Sequence, residues 1–150
     1  MTACPWPVAD LVPHAAPMVL LDQITHWDAT GLTATLTIRP DTRFIETGAG
    51  VPVHIGLEWM AQACSAFAGL RAKVADQPVR VGFLLGTRDF TAEKSWFVVG
   101  ETLSVAVSQV FLDGGMAVFD CRIDLGEVEC ARARLTVYQP DEDDTGVLVP

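Results

Sequence analysis

The chain has 150 residues, half of them hydrophobic and 19% charged, a balance that suits one self-supporting core and argues against disorder. Its formal net charge of −9 disfavours nucleic acid as a partner, since phosphate recognition needs clustered Lys and Arg and only ten are present. No charge-free apolar run reaches about 18 residues, and four prolines break the opening "MTACPWPVADLVPHAAP", so a cytoplasmic domain with neither span nor leader is expected.

Taken in chain order, residues 1–17 read as a proline-punctuated opening segment, with a short helical turn at "VADLV". A strand is predicted over "MVLLDQITHWD" (18–28), ending in the turn cluster Asp28, Ala29, Thr30, Gly31. In "GLTATLTIRP" (31–40), Leu32, Ala34, Leu36 and Ile38 alternate with Thr33, Thr35, Thr37 and Arg39. Period two with β-branched residues predicts a half-buried strand that pairs with the first as a hairpin. "DTRFIETGAG" follows as a loop. Residues 53–75 form the one long helical candidate, apolar round nearly its whole circumference, with Pro52 near its start and Arg71, Lys73 and Asp76 at its wet end.

Four strands close the chain: "VRVGFLLGTRDF", "GETLSVAVSQVFLD", "MAVFDCRIDL" and "VECARARLTVYQ". On the third, Asp120, Arg122 and Asp124 share a face, and on the fourth Arg132 and Arg134 share one, as cross-strand ion pairing would have it. The tail 141–150 is acidic and expected to fray. Cys4, Cys64, Cys121 and Cys130 show no C-x-x-C pair and no histidine at metal-ligand spacing, so they are read as reduced and structural. No metal or cofactor is expected. Two strands, a buried helix and an antiparallel run of four make a single α+β domain, one helix wrapped by a curved sheet. Such a sheet leaves edges open and is expected to dimerise.

The motifs carry a family resemblance across roughly residues 8 to 138. "LVPHAAPMVLLDQI" (11–24) resembles the "LPHRxPFLLVDRV" opening of bacterial 3-hydroxyacyl-(acyl-carrier-protein) dehydratases of the hotdog fold. "GLEWMAQA" (56–63) is similar to the "xxEAMAQA" that starts their central helix. "GFLLGTRDF" (82–90) resembles "FxGIDKxRF", and "GETLSVAV" resembles "GDQLxLxV". The "GVPxxxGxExMAQ" and "GFLLGTR" patterns are most similar to the dehydratase-like branch of aryl polyene and related fatty-acid and polyketide clusters.

The resemblance implies dehydration of a 3-hydroxyacyl thioester, carried on acyl-carrier protein or coenzyme A, by a homodimer or a heterodimer with a related hotdog subunit. That chemistry needs a base for the α-proton, an acid for the leaving hydroxyl and a donor for the enolate oxygen. Glu58 maps onto the helix carboxylate; set among Ile55, Leu57, Trp59 and Met60, it is expected to be buried, with its pKa pushed upward. The N–H groups of Gly56 and Leu57 are candidates for the thioester carbonyl. The family histidine lies in "GHFPGxPxxPG", where this chain has "FIETGAGVPVHIG". Two replacements stand: His54, at i, i+4 from Glu58 if the helix is continuous, and His14 in the opening motif. Gln62 is a candidate site-lining residue; Arg88 is a salt-bridge partner or a pantetheine-phosphate contact. Docking an acidic carrier would need Arg39, Arg43, Arg71, Lys73 and Arg80 to gather. Two other readings remain: a thioesterase in which Glu58 activates water with help from Gln62, and a non-catalytic subunit serving an active paralogue.

Overall fold

The computed structural model describes residues 2–14 and 18–140; the acidic stretch at 141–150, expected to fray, lies outside the described residues. The first hairpin follows from the alternation of its second strand. Strand β1 (Gln23–Trp27) pairs antiparallel with β2 (Gly31–Thr37), which buries Leu32, Ala34 and Leu36 and leaves its threonines half-exposed. The turn between them is tied by one carboxylate. Asp28 Oδ1 accepts from the Thr30 N–H (2.9 Å), the Thr30 hydroxyl (3.0 Å) and the Gly31 N–H (3.0 Å). These bonds to the charged form hold the Asp28 pKa below its ordinary value.

The remaining elements are β3 (Val51–Pro52), helix α1 (Gly56–Val74), β4 (Phe83–Ala92), β5 (Trp96–Phe97), β6 (Thr102–Asp113), β7 (Met116–Leu125) and β8 (Val128–Tyr138). Six strands form one antiparallel sheet in the order β1-β2-β6-β7-β8-β4, and β3 pairs with β5 in a two-stranded patch. The sheet wraps α1, whose Trp59, Met60, Ala63, Phe67 and Leu70 are fully buried. Trp59 meets Phe97 with ring centroids 5.0 Å apart, and Phe67 meets Phe119 edge-on at 5.9 Å. Removing either helix aromatic would cost about 3–5 kcal/mol. On the outer face Arg134 pairs across strands with Asp120 (2.8 Å), while Arg122 binds Asp124 (2.9 Å) and Arg132 binds Glu129 (2.6 Å) along their own strands.

The short helical turn expected at "VADLV" is present as a 3-10 turn, Val8–Asp10, beside which Val8, Leu11 and Val12 are buried. Two expectations change. The first strand begins at Gln23 rather than residue 18, because the Leu20 and Leu21 N–H groups are claimed by a helix side chain instead of a neighbouring strand. The helix is not buried all round within the chain. Ala61, Ser65, Ala68 and Ala72 form a half-exposed stripe of small residues along one side. Cys64 and Cys121 are free thiols packed 3.8 Å apart between helix and sheet, and burial pushes the Cys64 thiol well above its ordinary pKa.

Candidate active site

A groove of about 780 Å³ runs along the small-residue stripe of α1. Leu84 of β4, Leu112 of β6, Phe119 of β7 and Val137 of β8 wall its sheet side, and Phe67 contributes from the helix. Glu58 and His14 both line it, together with Met18 and Leu20. Arg71 and Arg80 line it as well, Arg71 thirteen residues farther along the helix from Glu58, about 20 Å at 1.5 Å per residue.

Glu58 corrects the expectation of a buried acid. It is exposed within the chain, and among the described residues it has no hydrogen-bond or ion-pair partner. The reason is the helical period. Trp59 and Met60 turn into the core, at 1% and 0% exposure, while the residue before them is rotated about 100° away onto the groove side. A carboxylate set in an apolar run of sequence is thereby wet in space.

His54 is exposed and does not line the groove. It sits in a 3-10 turn, Val53–Ile55, that runs directly into α1. At about three residues per turn that segment departs from the i, i+4 facing a continuous helix would give. Gly56 is buried, and its N–H already donates to the carbonyl of that turn, so it is not the free donor expected for a thioester oxygen. Its small size has a packing reason instead: a Cβ there would lie 2.6 Å from Ile123 Cδ1. Leu57 is half-buried and away from the groove lining. Arg88 lies on exposed β4 in register with Arg134, outside the groove and without an ion pair to any described residue.

Gln62 lines the groove, yet its amide is largely engaged elsewhere. Oε1 accepts from the Leu20 N–H (2.7 Å) and the Leu21 N–H (3.2 Å), and Nε2 donates to the Met18 carbonyl (2.8 Å). Of the basic residues that carrier docking would need in one place, Arg71 and Arg80 share the groove, whereas Arg39 is paired with Asp22 at 3.2 Å. The clamp by Gln62 and the close approach at Gly69 were missed by sequence reasoning. An isolated glycine inside a helical pattern was the available signal for the second. Among the described residues no group of three or more His, Cys, Asp or Glu side chains is placed to hold a metal ion, and no helix is long and apolar enough to cross a membrane.

One helix wrapped by a curved six-stranded antiparallel sheet is the hotdog fold, shared with solved structures of that class. Residues 6–148 match the model of the ApeP-like family, described as ApeP dehydratase, and the chain belongs to that family. It superposes on a chain of the dehydratase heterocomplex ApeI:P from Xenorhabdus doucetiae with a TM-score of 0.90 and 26% identity, covering 97% of this chain and 98% of that one. A hypothetical thioesterase with coenzyme A from Streptococcus pneumoniae matches at TM-score 0.62 and 12% identity, over 78% and 84% of the two chains. The PaaI protein of the Escherichia coli phenylacetic acid degradation operon matches at 0.58 and 13%, over 77% and 80%. Those two likenesses bear on the fold alone. None of the curated proteins matches this chain.

Proposed function

We propose that this chain acts in the dehydration of 3-hydroxyacyl thioesters to trans-2-enoyl products, as one subunit of a paired hotdog assembly. The observation that carries the reading is that a helix-borne carboxylate, Glu58, and an imidazole, His14, line one apolar-walled groove. In this scheme His14 takes the α-proton from C2 and the electron pair moves into the thioester as an enolate. The C3–O bond then breaks, Glu58 gives its proton to the departing hydroxide, and water and a C2=C3 double bond result. The apolar walls suit an acyl chain, and Arg71 and Arg80 suit the phosphate of a carrier-linked or coenzyme A thioester.

The partner subunit belongs to the same reading. The groove is open along β4, where Phe83, Leu84 and Leu85 are 43%, 46% and 55% exposed. A second hotdog subunit pairing there would cover the apolar strand and close the groove, and the heterocomplex relative supports a related chain in that role. A hydrolytic reading finds less support, because Gln62, its proposed helper, is bound to main chain. The test is Glu58→Gln in the complex with its partner, assayed for enoyl product by mass spectrometry from a 3-hydroxyacyl carrier-protein thioester. A loss of about 100-fold or more is expected for a proton-transferring group. Undiminished dehydration would overturn the reading.

A further inference from the structure

Resting on the dehydratase reading of the groove, we propose that Gln109 is a substrate-binding residue: its side-chain amide hydrogen-bonds the distal amide of a pantetheine arm lying between Glu58 and Arg71. In β6, Leu103, Val105 and Val107 point into the core at 0%, 0% and 3% exposure, and the next residue of that alternating series is Gln109. A fourth apolar side chain would complete the inward face. The position instead carries a half-buried amide that lines the groove opposite Phe119, its register partner on β7.

The Gln109 main chain is engaged, its N–H donating to the Thr30 carbonyl at 2.7 Å, and the strand bulges directly after it, between Gln109 and Phe111. Bulges re-aim side chains beside functional sites. Among the described residues the Gln109 side chain has no hydrogen-bond partner. Gln62 and Gln139 line the same groove, but their amides are bound to main chain. An amide among apolar walls costs free energy unless its bonds are made. A ligand amide suits it, since each of the two groups carries both a donor and an acceptor.

The spacing selects the pantetheine arm. Phe119 meets Phe67, which stands nine residues beyond Glu58 on α1, about 14 Å along the helix at 1.5 Å per residue. Arg71 lies at about 20 Å on the same scale. In an extended arm each bond advances about 1.25 Å. From C3 of the acyl group the distal amide nitrogen is about ten bonds away, about 13 Å, and the phosphorus about sixteen, about 20 Å. Phosphate at Arg71 therefore sets the distal amide at the level of Gln109 and C3 at Glu58. The proximal amide, about six bonds from C3, falls short of that level.

The experiment uses the chain in complex with its partner subunit, with the variants Gln109→Leu and Glu58→Gln. One 3-hydroxyacyl group is presented either on coenzyme A or on N-acetylcysteamine, which keeps the proximal amide and ends before the distal one. Gln109→Leu is expected to lower kcat/KM about tenfold on the coenzyme A thioester, through KM, and to leave the N-acetylcysteamine thioester unchanged. Its Tm should hold or rise, because leucine completes the inward face, whereas loss of a purely structural residue would lower it. Gln109→Met, unbranched and of similar length, gives the same readout if leucine does not fit. Free coenzyme A should bind Gln109→Leu about tenfold more weakly in calorimetry, with no turnover involved. Equal losses on both thioesters would overturn the proposal, as would unchanged affinity for coenzyme A. A loss seen only when the acyl chain carries a hydroxyl group, on both carriers alike, would assign the amide to the acyl chain and overturn it too. A fully active Glu58→Gln beside weakened coenzyme A binding in Gln109→Leu would remove the dehydratase reading and leave the arm site standing.

Discussion

β1 and β4 are the two edges of one sheet, and the chain finishes only the first. β1 is five residues long, is interrupted by a bulge between Ile24 and His26, and is bridged from outside by Thr2. Thr2 and Trp27 exchange N–H···O bonds of 2.9 Å each way, and the Trp27 indole N–H reaches the Ala3 carbonyl at 3.3 Å. β4 is ten residues long, with its first seven exposed and Phe83, Leu84 and Leu85 among them. Its register shifts twice, between Leu84 and Gly86 and between Arg88 and Thr91, where Asp89 takes a φ of 55°. Natural sheets blunt open edges with short strands, bulges and covering segments. β1 uses all three, whereas β4 is long, carries only register shifts and has no covering segment among the described residues, which leaves Phe83, Leu84 and Leu85 exposed beside the groove. The difference teaches that the unfinished edge and the candidate site are one side of the molecule.

If that contrast is right, lesions near β1 should cost stability and lesions on β4 should cost association. The largest effect is expected from Gly31→Ala, since a Cβ there would lie 2.1 Å from the Val107 carbonyl oxygen. Wedging apart two paired backbones should cost about 3 kcal/mol in a denaturant melt, with partner binding retained by the molecules that fold. Next comes Leu85→Lys, at a side chain 55% exposed in the chain alone. It should weaken partner association about tenfold or more, read by sedimentation. Unfolding of the isolated chain should shift by no more than about 0.5 kcal/mol. Equal association in wild type and variant would break the contrast.

Thr2→Pro removes one of the two bonds that cap the covered edge and should cost about 1 kcal/mol by thermal melt, leaving association unchanged. The smallest effect is a pH dependence. Asp28 is held below its ordinary value chiefly by the Thr30 backbone N–H, then by the Thr30 hydroxyl, so folding favours its charged form. That stabilisation is complete above the unfolded carboxylate value and is lost as pH falls through the lower folded one. Asp28→Ala should therefore show a shallower fall in Tm than wild type on acidification below about pH 4.

Legibility in the sequence followed the range of the interaction. The hairpin of β1 and β2 and the meander of β6, β7 and β8 could be read because alternation and Gly or Asp turns are local signals. The position of β4 at the far edge beside β8 could not, since period two says which face a residue takes and not which strand lies next to it. Asp120 and Arg134 were expected to share the outer face, and they pair there. Glu58 stood out as the single acid of an apolar helix, but its exposure depended on which way the helix faces the sheet. His54 looked nearer to it than His14 because sequence distance was the only measure at hand.

By itself the sequence determined the helix and the six longer strands, their order, the α+β class and the family resemblance, because periodicity, turn chemistry and motif spacing act over a few residues at a time. The short strands β3 and β5 were not read. Tertiary structure decided which of those residues meet. It put His14 rather than His54 in the groove with Glu58, joined Gln62 to main chain more than 40 residues earlier, and left β4 open along the groove. The physical reason is that burial and hydrogen-bond satisfaction are settled only when distant segments pack.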